Sequence, residues 1–440
     1  MKTGIFPIIL YGLLIVLPLF TAAVVMPSYD KVFTFEAAKA LALMIFAILM
    51  LQPVLAGRFK WIERPYGLDI MLRFHKYMAM FVTAVIILHP LGISTGYHGT
   101  SILYSADVYW PVWFGRSALL VLLLSMLFSL TMVTNRLPFE RWRLLHDILN
   151  PLLLILIFVH SYFTGIDLQA RRMQYLWYVY FAAALGVFCY HRLLRPRLLG
   201  RRRYTVTGIV TEAPDVHTVT LVPAPGQKIF PYLPGQFHFL TLHRGPGLPV
   251  EEHHFTLSSS PSQKEYLSST IKTLGDFTAT IARTRKGDTA TVHGPFGRFS
   301  HTLHPDDRDL VFIAGGIGIT PLMSMLRFMR DTGDLRPVTL FYANRDESSI
   351  VFKKELETIA VSKSANLSLV HILEKPDRDW QGEKGRLNGD MIKKYCGADL
   401  QGKTFYVCGP PGLVAAILKI LAALDIGQKR IRTEIFSFVN

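Results

Sequence analysis

The chain has 440 residues, half of them hydrophobic, with a formal net charge of +15 and a mean hydropathy of +0.30. That hydropathy excludes an ordinary soluble globular protein, and the apolar residues concentrate before about residue 195. Much of the positive excess borders apolar stretches, where membrane topology and anionic headgroups account for it, so no nucleic-acid partner is expected.

Six stretches are long enough to span a bilayer: Ile5–Met26, Ala37–Ala56, Met71–Ile93, Phe114–Val133, Trp142–Tyr162 and Tyr175–Leu194. The first of them, with Lys2 before it and Thr21-Ala22-Ala23 near its end, resembles a cleavable signal peptide. Its run of about 20 apolar residues is longer than a usual signal core, so an anchored helix is expected. Basic residues gather after the second stretch (Arg58, Lys60, Arg64, Arg73), after the fourth (Arg136, Arg141, Arg143) and after the sixth (Arg192, Arg195, Arg197, Arg201–Arg203). The opposite loops hold fewer: Lys31 and Lys39, Arg171 and Arg172, and Arg116. This bias predicts a multi-pass protein of the cell membrane with both termini in the cytoplasm.

Four histidines stand inside these stretches in two equally spaced pairs: His75 and His89 in the third, His146 and His160 in the fifth, 14 residues apart in each case. At about 100° per residue, 14 steps fall roughly 40° short of four turns, so both members of a pair face one side of a helix. They lie about 21 Å apart along the axis, most of the hydrocarbon thickness. The two helices run in the same direction, which matches His75 with His146 near the inner face and His89 with His160 near the outer one. Ionisable groups at such depth are costly and mark function. Two stacked imidazole pairs suit two bis-histidine haems, with both axial positions filled for electron transfer. His98, after the third stretch, reads as a solvated loop residue, and His191 as interfacial.

After Arg203 the pattern changes. Short strands at Tyr204–Val210, Val216–Val222 and Phe237–Leu242 are separated by Pro and Gly and predict a small antiparallel barrel running to about residue 303. From Leu310–Ala314 a strand leads into Gly315-Gly316-Ile317-Gly318-Ile319-Thr320-Pro321 and a helix. Val338–Ala343 reads as a second strand, and Lys403–Cys408 ends at Gly409-Pro410 before another helix. Alternating strands and helices predict a parallel sheet that binds a nucleotide at its carboxyl edge. Cys189, Cys396 and Cys408 are too widely spaced for a disulfide framework or a zinc site. The fold expected is multi-domain: residues 1–198 a six-helix α-helical transmembrane bundle binding two haems, 199–303 an antiparallel β-barrel domain, and 304–440 an α/β Rossmann-like nucleotide-binding domain.

Several motifs carry a resemblance. Glu252-His253-His254-Phe255-Thr256-Leu257-Ser258-Ser259 resembles the His-Pro-Phe-Thr flavin motif of NADPH oxidases and ferric reductases. Ile271-Lys272-Thr273-Leu274-Gly275-Asp276-Phe277-Thr278 resembles their pyrophosphate-binding segment. Gly294-Pro295-Phe296-Gly297, the glycine turn and Cys408-Gly409-Pro410 follow in the family's order. Together with the four histidines they cover nearly the whole chain, in the manner of a compact prokaryotic-type NADPH oxidase.

That resemblance implies FAD held by His253, His254, Phe255, Thr256 and Ser259, with Thr256 at the isoalloxazine edge and Phe255 and His253 beside it. It implies pyrophosphate near Lys272 and Gly275, Asp276, Phe277 and Thr278. NADPH or NADH would lie over Gly315, Gly316, Gly318, Thr320 and Pro321, with Cys408, Gly409 and Pro410 near the nicotinamide and Arg345 at a 2′-phosphate. Where the family has proline this chain has His254, so the loop is expected to be looser. Glu434-Ile435-Phe436 resembles the acid–x–aromatic ending of ferredoxin reductase-like proteins, which implies Phe436 stacked on the flavin, with Phe438 the second choice. The activity implied is NAD(P)H oxidation through FAD and two b-type haems to an acceptor across the membrane. Molecular oxygen, giving superoxide, is the first acceptor expected. A ferric or cupric chelate is the second, and a periplasmic redox partner the third.

Overall fold

A computed structural model describes residues 2–25, 32–95, 99–134, 137–200, 202–362, 364–397 and 399–435. The chain divides into two units between Pro196 and Arg197.

The first unit is helical. In order it holds α1 (Lys2–Val25), α2 (Phe33–Ala56), the short α3 (Lys60–Tyr66), α4 (Leu68–Ile86), α5 (Leu88–Ser94), the single-turn α6 (Ser101–Tyr104), α7 (Pro111–Val133), α8 (Phe139–Thr164) and α9 (Arg171–Cys189). The start of α10 (Arg195–Gly200) closes it. Among the described residues, five spans are long and apolar enough to cross a membrane: Gly4–Val25, Phe33–Ala56, Leu68–Ser94, Pro111–Met132 and Phe139–Thr164. The sixth expected stretch coincides with α9, which is outside those five. It opens on Arg171-Arg172, carries three tyrosines, and buries Met173, Trp177, Tyr180 and Ala184.

α4 and α5 form one span interrupted at Ile87. Pro90 has no N–H to offer the carbonyl four residues back, so the ladder opens there, while Ile87 keeps helical angles (φ −62°, ψ −29°). α8 contains Pro151, and Asn150 Nδ2 donates to the His146 carbonyl at 2.7 Å one turn back. α2 is the central element. Phe46, Ala47 and Met50 pack with Trp177 and Tyr180 of α9, and Ile45, Ile48 and Leu49 with Val82 of α4 and Val121 of α7.

The second unit holds two sheets. β1 (Arg203–Ala213), β2 (Val216–Pro223), β3 (Phe237–His243), β4 (Glu252–Thr256), β5 (Leu267–Lys272) and β6 (Thr289–Phe296) form an antiparallel sheet in the order β4-β3-β6-β1-β2-β5, with the single-turn α11 (Asp276–Ala279) after β5. The small barrel expected from sequence appears as this antiparallel sheet, which is not closed. Among the described residues no ladder joins β4 to β5; just past β4, Leu257 bridges Ser269 and the Ser258 amide donates to the Ser268 carbonyl at 2.8 Å.

The remaining elements alternate: β7 (Asp309–Gly315), α12 (Ile319–Thr332), β8 (Val338–Asn344), α13 (Lys353–Ser362), β9 (Leu367–Leu373), β10 (Glu383–Lys384), α14 (Gly389–Cys396), β11 (Lys403–Gly409), α15 (Pro411–Ala423) and β12 (Ile431–Ile435). They build a parallel sheet in the order β10-β9-β8-β7-β11-β12. Successive residues of β7 go to opposite layers. Leu310, Phe312 and Ala314 pack against α12, and Val311 and Ile313 against α14 and α15. Helices therefore cover both faces, and strand order reverses between β7 and β11. Ligands of such sheets lie at that reversal, outside the carboxyl ends of the strands.

Candidate functional sites

The membrane unit brings the four histidines together in the two pairs expected. His75 and His146 have ring centres 6.3 Å apart, and His89 and His160 6.4 Å apart. With metal–nitrogen bonds of about 2 Å and roughly 1 Å more to each ring centre, imidazoles on opposite sides of one metal stand about 6 Å apart. The ring planes are inclined to each other by 56° and 83°.

Two backbone carbonyls orient the second pair. His89 Nδ1 lies 3.2 Å from the Ala38 carbonyl and His160 Nδ1 2.9 Å from the Pro111 carbonyl. A carbonyl only accepts, so in each ring the proton sits on Nδ1 and Nε2 presents its lone pair. Neither carbonyl was legible from the histidine spacing, because they belong to α2 and α7. Two glycines permit the approach. A Cβ on Gly115 would stand 2.6 Å from His160 Nδ1, and one on Gly92 2.6 Å from the Ala38 Cβ. At the first pair, the Trp142 ring lies 5.1 Å from His146. His98 lies outside the described residues. His191 sits in a π-turn (Tyr190–Leu194) with Arg195 Nη1 2.8 Å from its Nδ1.

In the second unit, β4 carries the predicted flavin motif as a regular strand paired to β3, with His254 opposite Phe239. The looser loop expected without proline is thus a ladder strand. Alternation sends the motif to two faces. His253 stacks on Phe277 at 4.2 Å and Phe255 lies 6.3 Å from the same ring, with the Arg244 guanidinium 5.1 Å above it. His253 Nε2 also pairs with Glu251 at 2.9 Å. His254 faces Phe237 and Phe239 at 6.0 and 6.1 Å, on the face that Thr256 shares. Of the aromatic set Phe237, Phe239 and Phe296, the last belongs to the Gly294–Gly297 motif read from sequence, while the other two were not singled out; their signal was alternation along β3.

The remaining predicted residues are partly engaged within the fold. The Ser259 hydroxyl is buried, 2.8 Å from Tyr232 OH, and accepts from the Ser268 amide at 3.1 Å. Lys272 Nζ is 3.3 Å from Asp215. In the turn before α11, Thr278 Oγ1 accepts from the Leu274 and Gly275 amides at 2.8 and 2.9 Å, which holds Gly275, Asp276 and Phe277 in a tight bend.

At the carboxyl edge of the parallel sheet, β7 ends at Gly315 and β11 at Gly409, adjacent strands at the point of reversal. Gly316 has φ +51°, which glycine adopts without strain. A Cβ on Gly318 would come 2.3 Å from the Cys408 carbonyl oxygen, so only glycine lets the turn lie on β11. Tyr342 OH donates to the Gly316 carbonyl at 3.2 Å, and Thr320 Oγ1 to that of Ile317 at 3.1 Å. Pro321 falls in the first turn of α12, where its missing N–H costs nothing. Cys408 is fully buried, and burial, with the Glu434 charge next, pushes its thiol well above the usual range, so it stays protonated at neutral pH. Pro410 leads into α15, and Arg345 is exposed just past β8 at the same edge. Phe436 and Phe438 lie outside the described residues; β12 ends at Ile435, paired with Gly409.

Two family models match the chain, one in each unit: the ferric reductase like transmembrane component over residues 40–157 and the oxidoreductase NAD-binding domain over 312–419. The chain is a fusion of the NADPH oxidase/ferric reductase type. The first match takes in His75, His89 and His146, and the second runs from β7 into α15.

Curated relatives include the stachydrine N-demethylase reductase subunit of Rhizobium meliloti, 33% identical over 231 residues, which are 51% of this chain and 64% of that protein. NADH-cytochrome b5 reductase 2 of Mus musculus is 32% identical over 158 residues, 32% of this chain and 57% of that protein. The chain therefore spans less than two thirds of the length of either. Among solved structures, the flavohem-like FAD/NAD binding domain of nitric oxide dioxygenase from Vibrio cholerae O1 biovar El Tor is 22% identical, covers 53% of this chain and 98% of its own, and has a TM-score of 0.48.

Proposed function

We propose that this fusion is a membrane-bound NAD(P)H-dependent oxidoreductase that moves electrons from the cytoplasm, through FAD and two b-type haems, to an acceptor on the far side. Oxygen, giving superoxide, is the acceptor we put first. The observation that carries the reading is the pair of imidazole pairs at metal-bridging separation, His75/His146 and His89/His160, with Nδ1 of His89 and His160 turned to carbonyls. When bound, FAD supplies the step between a two-electron hydride and one-electron haem iron.

Each unit has its share of the work. Residues 1–198 form the haem-binding membrane domain, residues 199–303 hold FAD and residues 304–440 hold NAD(P)H. His253, His254, Phe255, Thr256 and Ser259 form the flavin strand and its exit, and Lys272 with Gly275–Thr278 the pyrophosphate turn. Gly315–Pro321 receives the nucleotide's phosphates, Cys408–Pro410 borders the nicotinamide and Arg345 meets a 2′-phosphate. Phe436 stacks on the isoalloxazine and yields to nicotinamide; Phe436→Ser should change the kinetics of flavin reduction, and identical kinetics would exclude the stacking role.

The test is made on detergent-purified protein. Two low-spin b-type haems per chain should appear on reduction, and NADPH should drive superoxide dismutase-sensitive reduction of cytochrome c. His89→Ala or His160→Ala should remove one haem and stop outward electron flow, yet leave flavin reduction intact. A preparation replete with FAD but without haem bands ends the proposal. The ferric reductase like description of the matched membrane segment favours a second reading, reduction of ferric chelates at the same outer pair. Anaerobic turnover with a ferric chelate, faster than aerobic superoxide formation, would select it.

A further inference from the structure

α12 begins at the nucleotide turn and is buried along most of its length, yet one of its faces is polar. Thr320, Ser324, Arg327 and Asp331 follow each other at spacings of four, three and four residues, which aligns them on one side. Three of them grip a single segment, the one leaving the flavin strand. Ser324 Oγ donates to the Ser259 carbonyl at 2.7 Å, Arg327 Nη1 to the Ser258 carbonyl at 2.6 Å, and Ser262 Oγ to Asp331 at 2.5 Å. Ser258 and Ser324 are fully buried.

Arg327 is itself fixed from behind. Its Nε and Nη2 donate to the two carboxylate oxygens of Glu355 on α13, at 2.9 and 2.5 Å, and its guanidinium lies 4.8 Å over the Phe352 ring. A fork held in two-point contact has little freedom, so its third bond fixes where the Ser258 carbonyl sits. Ser258 is two residues past Thr256, and the segment is tied on its other side to β5 through Ser268 and Thr270.

We propose that Arg327 is a positioning residue for hydride transfer: with Ser324 and Asp331 it latches the exit of the flavin strand to the helix that carries the nucleotide turn, and so sets the distance between the two cofactors. Arg327 lies eight residues past Ile319, the first residue of α12 after that turn, about 12 Å along a rigid helix. The nicotinamide and flavin must approach to about 3–3.5 Å, and a misplacement of 1 Å far from the chemistry costs up to about a hundredfold in rate. The inference rests on the nicotinamide-to-flavin reading above. The apolar alternative at this face, leucine or methionine as elsewhere on α12, would bury as well but would not fix a register.

The test uses the full-length protein in detergent and anaerobic stopped-flow flavin reduction by NADPH, with and without deuterium at the nicotinamide C4. If the wild-type flavin is not reduced, the nicotinamide-to-flavin reading itself fails, before any variant is made. Given wild-type reduction, Arg327→Gln should slow hydride transfer about tenfold or more and raise its isotope effect, with FAD content and NADPH affinity little changed. Arg327→Lys should recover part of the rate, and Ser324→Ala should slow transfer less, in the same direction. Unchanged rates in Arg327→Gln, or rate losses that follow FAD loss across the variants, would overturn the proposal. Should Arg327→Gln fail to retain FAD, Ser324→Ala decides: slowed transfer at full FAD content supports the latch, and a wild-type rate overturns it.

Discussion

If His75/His146 and His89/His160 each hold a haem as proposed, Gly115→Ala should empty one position and spare the other. The added methyl carbon would stand 2.6 Å from His160 Nδ1 and Cε1 and 3.0 Å from Cγ, whereas ordinary contact begins at 3.4 Å. The whole ring edge must therefore retreat by close to 1 Å. A metal–nitrogen bond of about 2 Å does not stretch by half its length, so the retreat breaks coordination rather than weakening it. It also lengthens the bond to the Pro111 carbonyl, worth about 1 kcal/mol. The helix itself gains, because alanine is favoured over glycine by up to about 1 kcal/mol in a helix interior. Loss of ligation without loss of fold is the expected signature. Pyridine haemochrome analysis should fall from two haems per chain to one, and a redox titration should lose one component while flavin reduction by NADPH proceeds as before. Two low-spin haems at unchanged potentials in the variant would refute the contact geometry around His160.

Gly318→Ala meets only backbone, the Cys408 carbonyl at 2.3 Å and the Gly409 Cα at 2.7 Å, so nothing can swing aside. Overpacking of this kind costs about 1–3 kcal/mol, and a thermal melt of the second unit should move down accordingly. Gly316→Ala meets open space but must hold φ +51°, a strain of about 1–2 kcal/mol, so its melt should fall no further than that of Gly318→Ala; a larger drop for Gly316→Ala would contradict the packing argument. Arg345→Ala should raise KM for NADPH about tenfold, the low end for an exposed charge-assisted bond, and leave KM for NADH unchanged; equal effects on both would remove the residue from the 2′-phosphate. Burial holds the Cys408 thiol above its ordinary value of 9.0, so the folded state keeps its proton when the unfolded state begins to lose one. Its contribution to stability is complete below pH 9 and declines above it, and iodoacetamide at pH 8 should leave Cys408 unmodified in the folded protein while labelling it in denaturant.

The membrane half was legible from sequence to the extent that helical period acts locally. Fourteen-residue spacing puts His75 and His89, and His146 and His160, on single faces whatever surrounds them. The break at Ile87 was signalled by Pro90, although it lies between the two members of a pair and leaves their alignment intact. Glycine turns and strand ends at Gly315–Gly318 and Cys408–Pro410 were likewise readable, because a phosphate-sized turn between strand and helix needs those residues in that order. The β4 segment was harder. Period two told that its residues alternate, but which face meets Phe277 and which meets Phe237 depends on its register with β3.

Sequence by itself determined which residues face the same way along one helix or strand, and which turn must be glycine. Only the tertiary structure decided what those faces meet: the Ala38 and Pro111 carbonyls behind His89 and His160, the open edge of the sheet where a small barrel was expected, and the grip of Arg327 on Ser258. The physical reason is range. Backbone period and turn sterics act over a few neighbouring residues, whereas a hydrogen bond between segments 49 to 69 positions apart exists only once packing has fixed both ends.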